Sequence, residues 1–238
     1  MSLALSSASP ASEIGALARR ATPGRLVATA EDGFLSAVFA ALVVLPLAEI
    51  ALRATLGVGI QGAASLTQHF TLLVGMLGAA VAARQGRLLG FSAAVFLKGE
   101  RAQYAQIFAF ACATAATAML CVASVQFVAA MRSAGNTLAY GVPVWIVQLV
   151  LPVGFGLIAA RLLQHAAPNP GGKIIAAALA AALVFGAVLV PLEPRHMAIA
   201  AVRFLLAGAI LGAPLFAVIG GIALLLLWST NVPIASVA

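Results

Sequence analysis

Apolar positions gather into six long stretches, roughly 33–52, 66–83, 102–131, 141–163, 174–192 and 198–228. Each is near or above the ~18–20 residues that a helix needs to cross a hydrocarbon core of about 30 Å. No formally charged residue occurs between 102 and 131, or from 204 onward. The pattern predicts an all-α, polytopic transmembrane protein with about six membrane-spanning helices. The third stretch would make ~45 Å of helix at ~1.5 Å per residue, so it must tilt strongly or protrude. Leu88–Phe91 and Ala93–Leu97 are apolar but too short to span, and lie among basic residues. An interfacial segment at the headgroup level is expected there. Residues 168–172, Pro-Asn-Pro-Gly-Gly, form the clearest linker.

Composition agrees with this reading. Hydrophobic residues make up 63% of the 238-residue chain and charged ones only 8%, against about 25% charged in a typical globular protein. The net charge of +7 raises nucleic acid as a partner, but the positions of the cations argue against it. With the N-terminus inside, one face collects Arg19, Arg20, Arg25, Arg84, Arg87, Lys98, Arg101, Arg161 and Lys173, and the other Arg53, Arg132, Arg195 and Arg203. Basic residues in short loops collect on the cytoplasmic side. The bias therefore predicts both termini in the cytoplasm, six crossings, and contact with anionic membrane lipids rather than nucleic acid. Residues 1–32 lack an apolar h-region, so a cleaved signal is not expected; a disordered or interfacial arm is.

Six polar residues in or beside the apolar stretches are structural candidates. Glu49 and Arg53 are i, i+4 neighbours in the favourable acid-first order. Either Glu49 pairs with Arg53 near the outer headgroups, or it serves as an intramembrane proton or ion ligand. Gln68 and His69 enter the second stretch, and Arg84 and Arg87 leave it. His69, His165 and His196 are expected at different levels, which argues against a three-histidine metal site. Phosphate-loop, HExxH and GxSxG motifs are absent from the sequence, and no catalytic or cofactor-binding residue is expected.

The order Pro46-Leu47-Ala48-Glu49-Ile50-Ala51-Leu52-Arg53, Gln68-His69, Gly75-Met76-Leu77-Gly78-Ala79-Ala80 and Ala82-Ala83-Arg84-Gln85-Gly86-Arg87-Leu88 resembles the small permease, or Q subunit, of tripartite ATP-independent periplasmic (TRAP) transporters. In that family an Arg ends the first crossing; Arg87 stands where a histidine is frequent, and Gln68 and His69 where many members are acidic. Further on, Gly212–Gly221 and Asn231–Val237 look like the start of the large permease, or M subunit. The resemblance implies a four-helix Q-like domain over 33–167, a linker with an extra crossing over 168–195, and the first helix of a truncated M-like domain over 196–238. Such a chain is expected to be either the N-terminal piece of a fused permease or an interrupted gene.

The same resemblance implies a scaffold in the bacterial inner membrane. Its partners would be a large permease and a periplasmic solute-binding protein, and its role the import of organic acids such as C4-dicarboxylates or sugar acids. Sodium coupling would belong to the large-permease portion, with no cofactor in this chain. The competing reading, a self-sufficient carrier or intramembrane enzyme, needs polar groups converging near the midplane, and the chain supplies few.

Overall fold

A computed structural model describes residues 23–92, 99–189 and 194–229. The elements run α1 (Pro23–Leu56), α2 (Ala63–Arg84), β1 (Gly90–Ser92), α3 (Glu100–Ala134), α4 (Val144–Gln148), α5 (Val150–His165), α6 (Pro170–Leu189), α7 (Pro194–Ile210), β2 (Leu211–Pro214) and α8 (Leu215–Ser229). The chain is an all-α polytopic membrane protein. Among the described residues four helices are long and apolar enough to span: Leu26–Leu56, Ala63–Arg84, Glu100–Ala134 and Val144–His165. Backbone groups in hydrocarbon must be satisfied within the segment, and a helix does so.

α3 is the axis of the molecule. It packs against α5, α6, α7, α8 and β2. Its inner half is a run of small residues; Ala109, Ala111, Cys112, Ala113 and Thr117 are all essentially inaccessible. Small side chains let several backbones approach one helix, where van der Waals packing rather than hydrophobic expulsion holds membrane helices together. One cluster joins Ala109, Ala113 and Ala116 to Met76 and Ala80 of α2, Ile158 and Leu162 of α5, and the 205–225 region. A second joins Ile107, Ala111 and Ala115 to Ala176 and Ala180 of α6. α1 packs chiefly on α2 and leaves Val43, Val44, Leu47 and Ile50 exposed.

The fourth stretch is interrupted between α4 and α5 at Leu149. Pro152 lacks the N–H that would reach the carbonyl of Gln148, which accounts for the break.

Several expectations change. α1 begins at Pro23, so residues 23–32 belong to the first long helix and not to an arm; residues 1–22 lie outside the described part. The sixth stretch is no single crossing. Gly212-Ala213-Pro214 breaks it into α7, an extended tip and α8. Gly212 has φ 109°, and Pro214 has no N–H for a continuing helix. The two helices fold back as a hairpin: the space where Gly221 would carry a Cβ is taken by Leu205 Cδ1 (2.9 Å) and Ala116 Cβ (3.0 Å). The 198–228 stretch is therefore two short apolar helices rather than one long one.

Of the expected interfacial segment, residues 88–92 are described. β1 pairs antiparallel with β2, Gly90 opposite Pro214 and Ser92 opposite Leu211, and Leu215 N–H donates to Leu89 O at 2.9 Å. A two-stranded clasp thus ties the hairpin tip to the loop after α2. Residues 93–98, the rest of the predicted segment, lie outside the described residues.

Candidate functional site

Two polar assemblies stand at opposite ends of the first helices, labelled outer and inner after the faces that the basic bias predicts. The outer one starts from Glu49 and Arg53, which the i, i+4 spacing places on one face of α1. Arg53 Nε donates to Glu49 Oε1 at 2.6 Å. Glu49 Oε2 accepts the backbone N–H of Ile60 in the following loop. The carboxylate therefore closes the turn between α1 and α2 as well as pairing with the guanidinium. A Cβ at Gly59 would lie 2.8 Å from Glu49 Oε1 and 3.0 Å from Arg53 Nε, so the glycine leaves room for the pair.

The inner assembly joins three helices. Glu31 of α1 accepts from Arg84 Nη1 of α2 at 2.9 Å and from Arg161 Nη2 of α5 at 2.5 Å. Asp32 accepts from Arg84 Nη2 at 2.5 Å. Each guanidinium also donates to backbone: Arg84 Nη1 to Ala28 O at 3.0 Å, and Arg161 Nη1 to Ala80 O at 2.6 Å. Two carboxylates meet two guanidiniums, so the cluster is formally neutral. The Arg161 and Glu31 side chains are 12% and 22% exposed, whereas Asp32 is 53% exposed. Half-buried ions that leave water must be paired and hydrogen-bonded, and these are.

Of the candidates read from sequence, Arg84 belongs to the inner cluster and Glu49 and Arg53 to the outer one. Arg87 is exposed just past the end of α2. Its backbone N–H donates to Ala82 O at 3.0 Å around Gly86, whose φ is 66°; the left-handed residue ends the helix as a glycine C-cap does. Gln68 is exposed on α2. His69 Nδ1 lies 2.8 Å from Ser65 O within the same helix. The structure brings neither Gln68 nor His69 to either cluster.

Sequence reasoning missed Glu31, Asp32 and Arg161 as site residues. The acids were placed in the arm and the arginine among topology cations. Their signal is two adjacent acids directly ahead of the first apolar stretch, with Arg84 and Arg161 at the matching ends of two others. Arg203 lies within α7, inside the sixth apolar stretch as expected.

Chemically, neither assembly is built for catalysis. Every described carboxylate in them is already engaged by an arginine or a backbone N–H, so the clusters fasten helices and close a turn. Among the described residues no group of three or more His, Cys, Asp or Glu could hold a metal ion. The guanidinium of Arg132 lies 5.4 Å from the ring centroid of Trp145, a cation–π contact between the end of α3 and the start of α4.

Compared with known proteins, residues 42–169, more than half of the chain, match the family model described as "Tripartite ATP-independent periplasmic transporters, DctQ component". No curated protein matches the chain. The matched span opens within α1 and closes just after α5, so it takes in the outer assembly and the arginine half of the inner one.

Proposed function

Because the chain belongs to the DctQ component family of tripartite ATP-independent periplasmic transporters, we propose that it acts as the membrane scaffold that holds a large permease in place. The observation that carries this reading is the inner cluster: Glu31 is shared by Arg84 and Arg161, so α1, α2 and α5 are clamped at one end. A clamped, formally neutral cluster whose carboxylates are engaged suits a rigid frame. A carrier's own site would instead need unengaged polar groups near the midplane. The exposed apolar face of α1, with Val43, Val44, Leu47 and Ile50, suits lipid or an apolar partner helix.

Within the same proposal, the transporter imports organic acids of the C4-dicarboxylate or sugar-acid type with sodium, delivered by an extracytoplasmic solute-binding protein. The chain sits in the bacterial inner membrane with its N-terminus in the cytoplasm, and residues 196–238 form the opening of a large-permease portion. Support comes from the family and from the resemblance of the 212–221 segment. The test is reconstitution of the large permease and a cognate binding protein into liposomes, with and without this chain. Sodium-driven uptake of a C4-dicarboxylate or sugar acid that requires the chain supports the proposal. Full uptake without it would remove the scaffold role.

A further inference from the structure

Where α3 and α6 begin, the two helices line a cavity of about 230 Å³ that shares no residue with either polar cluster. One water needs only ~10–15 Å³ of such space, so the cavity admits a polyatomic group. Its lining changes character along both helices. Glu100 and Gln103 at the start of α3, with Asn169 just ahead of α6, supply polar groups; Ile107 and Ile175, further along each helix, supply an apolar wall. Tyr104, one turn on from Glu100 and 65% exposed, stands between the two zones.

The carboxylate of this polar zone is unspent. Glu31, Asp32 and Glu49 are all engaged by arginines, whereas Glu100 has no ion-pair or hydrogen-bond partner among the described residues. A primary ammonium has three N–H donors, and Glu100, Gln103 and Asn169 offer three side-chain acceptors. The ring of Tyr104 adds a π face for the same charge. A metal ion is poorly served, because the lining holds one carboxylate and no histidine or cysteine. Lys173 directly follows the lining residue Gly172, and its backbone N–H donates to Asn169 O at 3.3 Å. The chain thus places a carboxylate on the α3 side and a cation on the α6 side of one cavity.

We propose that this cavity binds the headgroup of an aminophospholipid of the phosphatidylethanolamine type. The primary ammonium meets Glu100, Gln103 and Asn169, the phosphate lies towards Lys173, and the acyl chains leave along Ile107 and the exposed Ile175. Carboxylate, cation and apolar wall match ammonium, phosphate and hydrocarbon. Basic loops in general attract anionic lipid, which Glu100 repels. A quaternary ammonium has no N–H and leaves the three acceptors unpaired, so methylating the amine removes the match. The site lies within this chain and does not depend on the scaffold role.

The test is native mass spectrometry of the full chain in detergent, titrated with phosphatidylethanolamine, phosphatidylcholine or phosphatidylglycerol of identical acyl chains. Glycerophosphoethanolamine, the same headgroup without acyl chains, forms a fourth arm. Phosphatidylethanolamine should reach half-occupancy at a concentration at least fivefold lower than either other lipid, and at least tenfold lower than the soluble headgroup. Glu100→Gln, at an exposed position that the fold tolerates, should bring phosphatidylethanolamine and phosphatidylcholine within twofold of each other. Gly171→Leu should weaken phosphatidylethanolamine binding at least fivefold by filling the cavity. Gly171 lines it, and a Cβ there meets nothing within 4 Å. Equal or greater occupancy by phosphatidylcholine or phosphatidylglycerol would overturn the site, as would a phosphatidylethanolamine preference that survives Glu100→Gln or undiminished binding in Gly171→Leu. Equally tight binding of the soluble headgroup would overturn the lipid assignment and make a free phosphoamine the ligand.

Discussion

At the scale of single residues, the two clusters make opposite demands on their acids. Glu31 serves two arginines at once, one of them with a side chain only 12% exposed. Glu31→Gln leaves Arg161 short of its countercharge in a half-buried site, and the expected loss is about 2–3 kcal/mol, below the 3–5 typical of fully buried pairs. Asp32→Asn removes a more exposed contact, worth about 0.5–1 kcal/mol. Unfolding of the detergent-solubilised chain in a denaturant series should rank the two in that order; equal losses would show that the clamp does not act through Glu31. At the outer end, Glu49 holds the Ile60 N–H as well as Arg53. Glu49→Gln keeps an acceptor for that N–H, whereas Glu49→Ala removes it, so Ala should cost more than Gln. Reversing both charges should not restore the wild-type level, because arginine at 49 offers no acceptor. Full restoration by the double reversal would reduce the site to a simple ion pair.

The difference between these sites explains what could be read from the chain. Glu49 and Arg53 are four residues apart, and helical periodicity alone brings them together. Glu31 and Arg161 are separated by 130 positions; only the packing of α1, α2 and α5 brings them into contact, and no local pattern encodes it.

At the scale of elements, apolar run length located the spanning helices well but misjudged the last. The 198–228 stretch satisfies every compositional requirement for one long helix, and its break depends on three consecutive residues, Gly212-Ala213-Pro214. A hydropathy pattern averages over so short a feature. The β1–β2 clasp was equally hidden, since its strands are three and four residues long and their pairing is long-range. Cysteines introduced by Gly90→Cys and Pro214→Cys face each other in the register observed and should be joined readily by a short thiol cross-linker. A continuous sixth helix would carry residue 214 away from the loop and leave the pair unlinked. Gly221→Leu should also separate the hairpin from α3, since Leu205 and Ala116 already occupy the space; overpacking of this kind costs about 1–3 kcal/mol, and the cross-link yield should fall with it.

At the scale of the whole molecule, α1, α2, α3 and α4–α5 form a frame built around α3, with α6 and the α7–α8 hairpin laid against it. If basic residues mark the cytoplasmic face, reporters fused at Arg87 and Gly172 should read inside, and those at Gly59 and Arg195 outside. Gly172 and Arg195 on one side would mean that α6 does not cross. The central claim is that the frame carries no transport site of its own: its described carboxylates in the two clusters are engaged, and its core is apolar. The most direct measurement is uptake of a radiolabelled C4-dicarboxylate or sugar acid into liposomes containing residues 1–238 alone, with an inward sodium gradient and the cognate binding protein outside. The account predicts uptake no greater than in protein-free liposomes, rising only when the large permease is added. Sodium-dependent uptake by these residues alone would contradict it and make the chain a carrier in its own right.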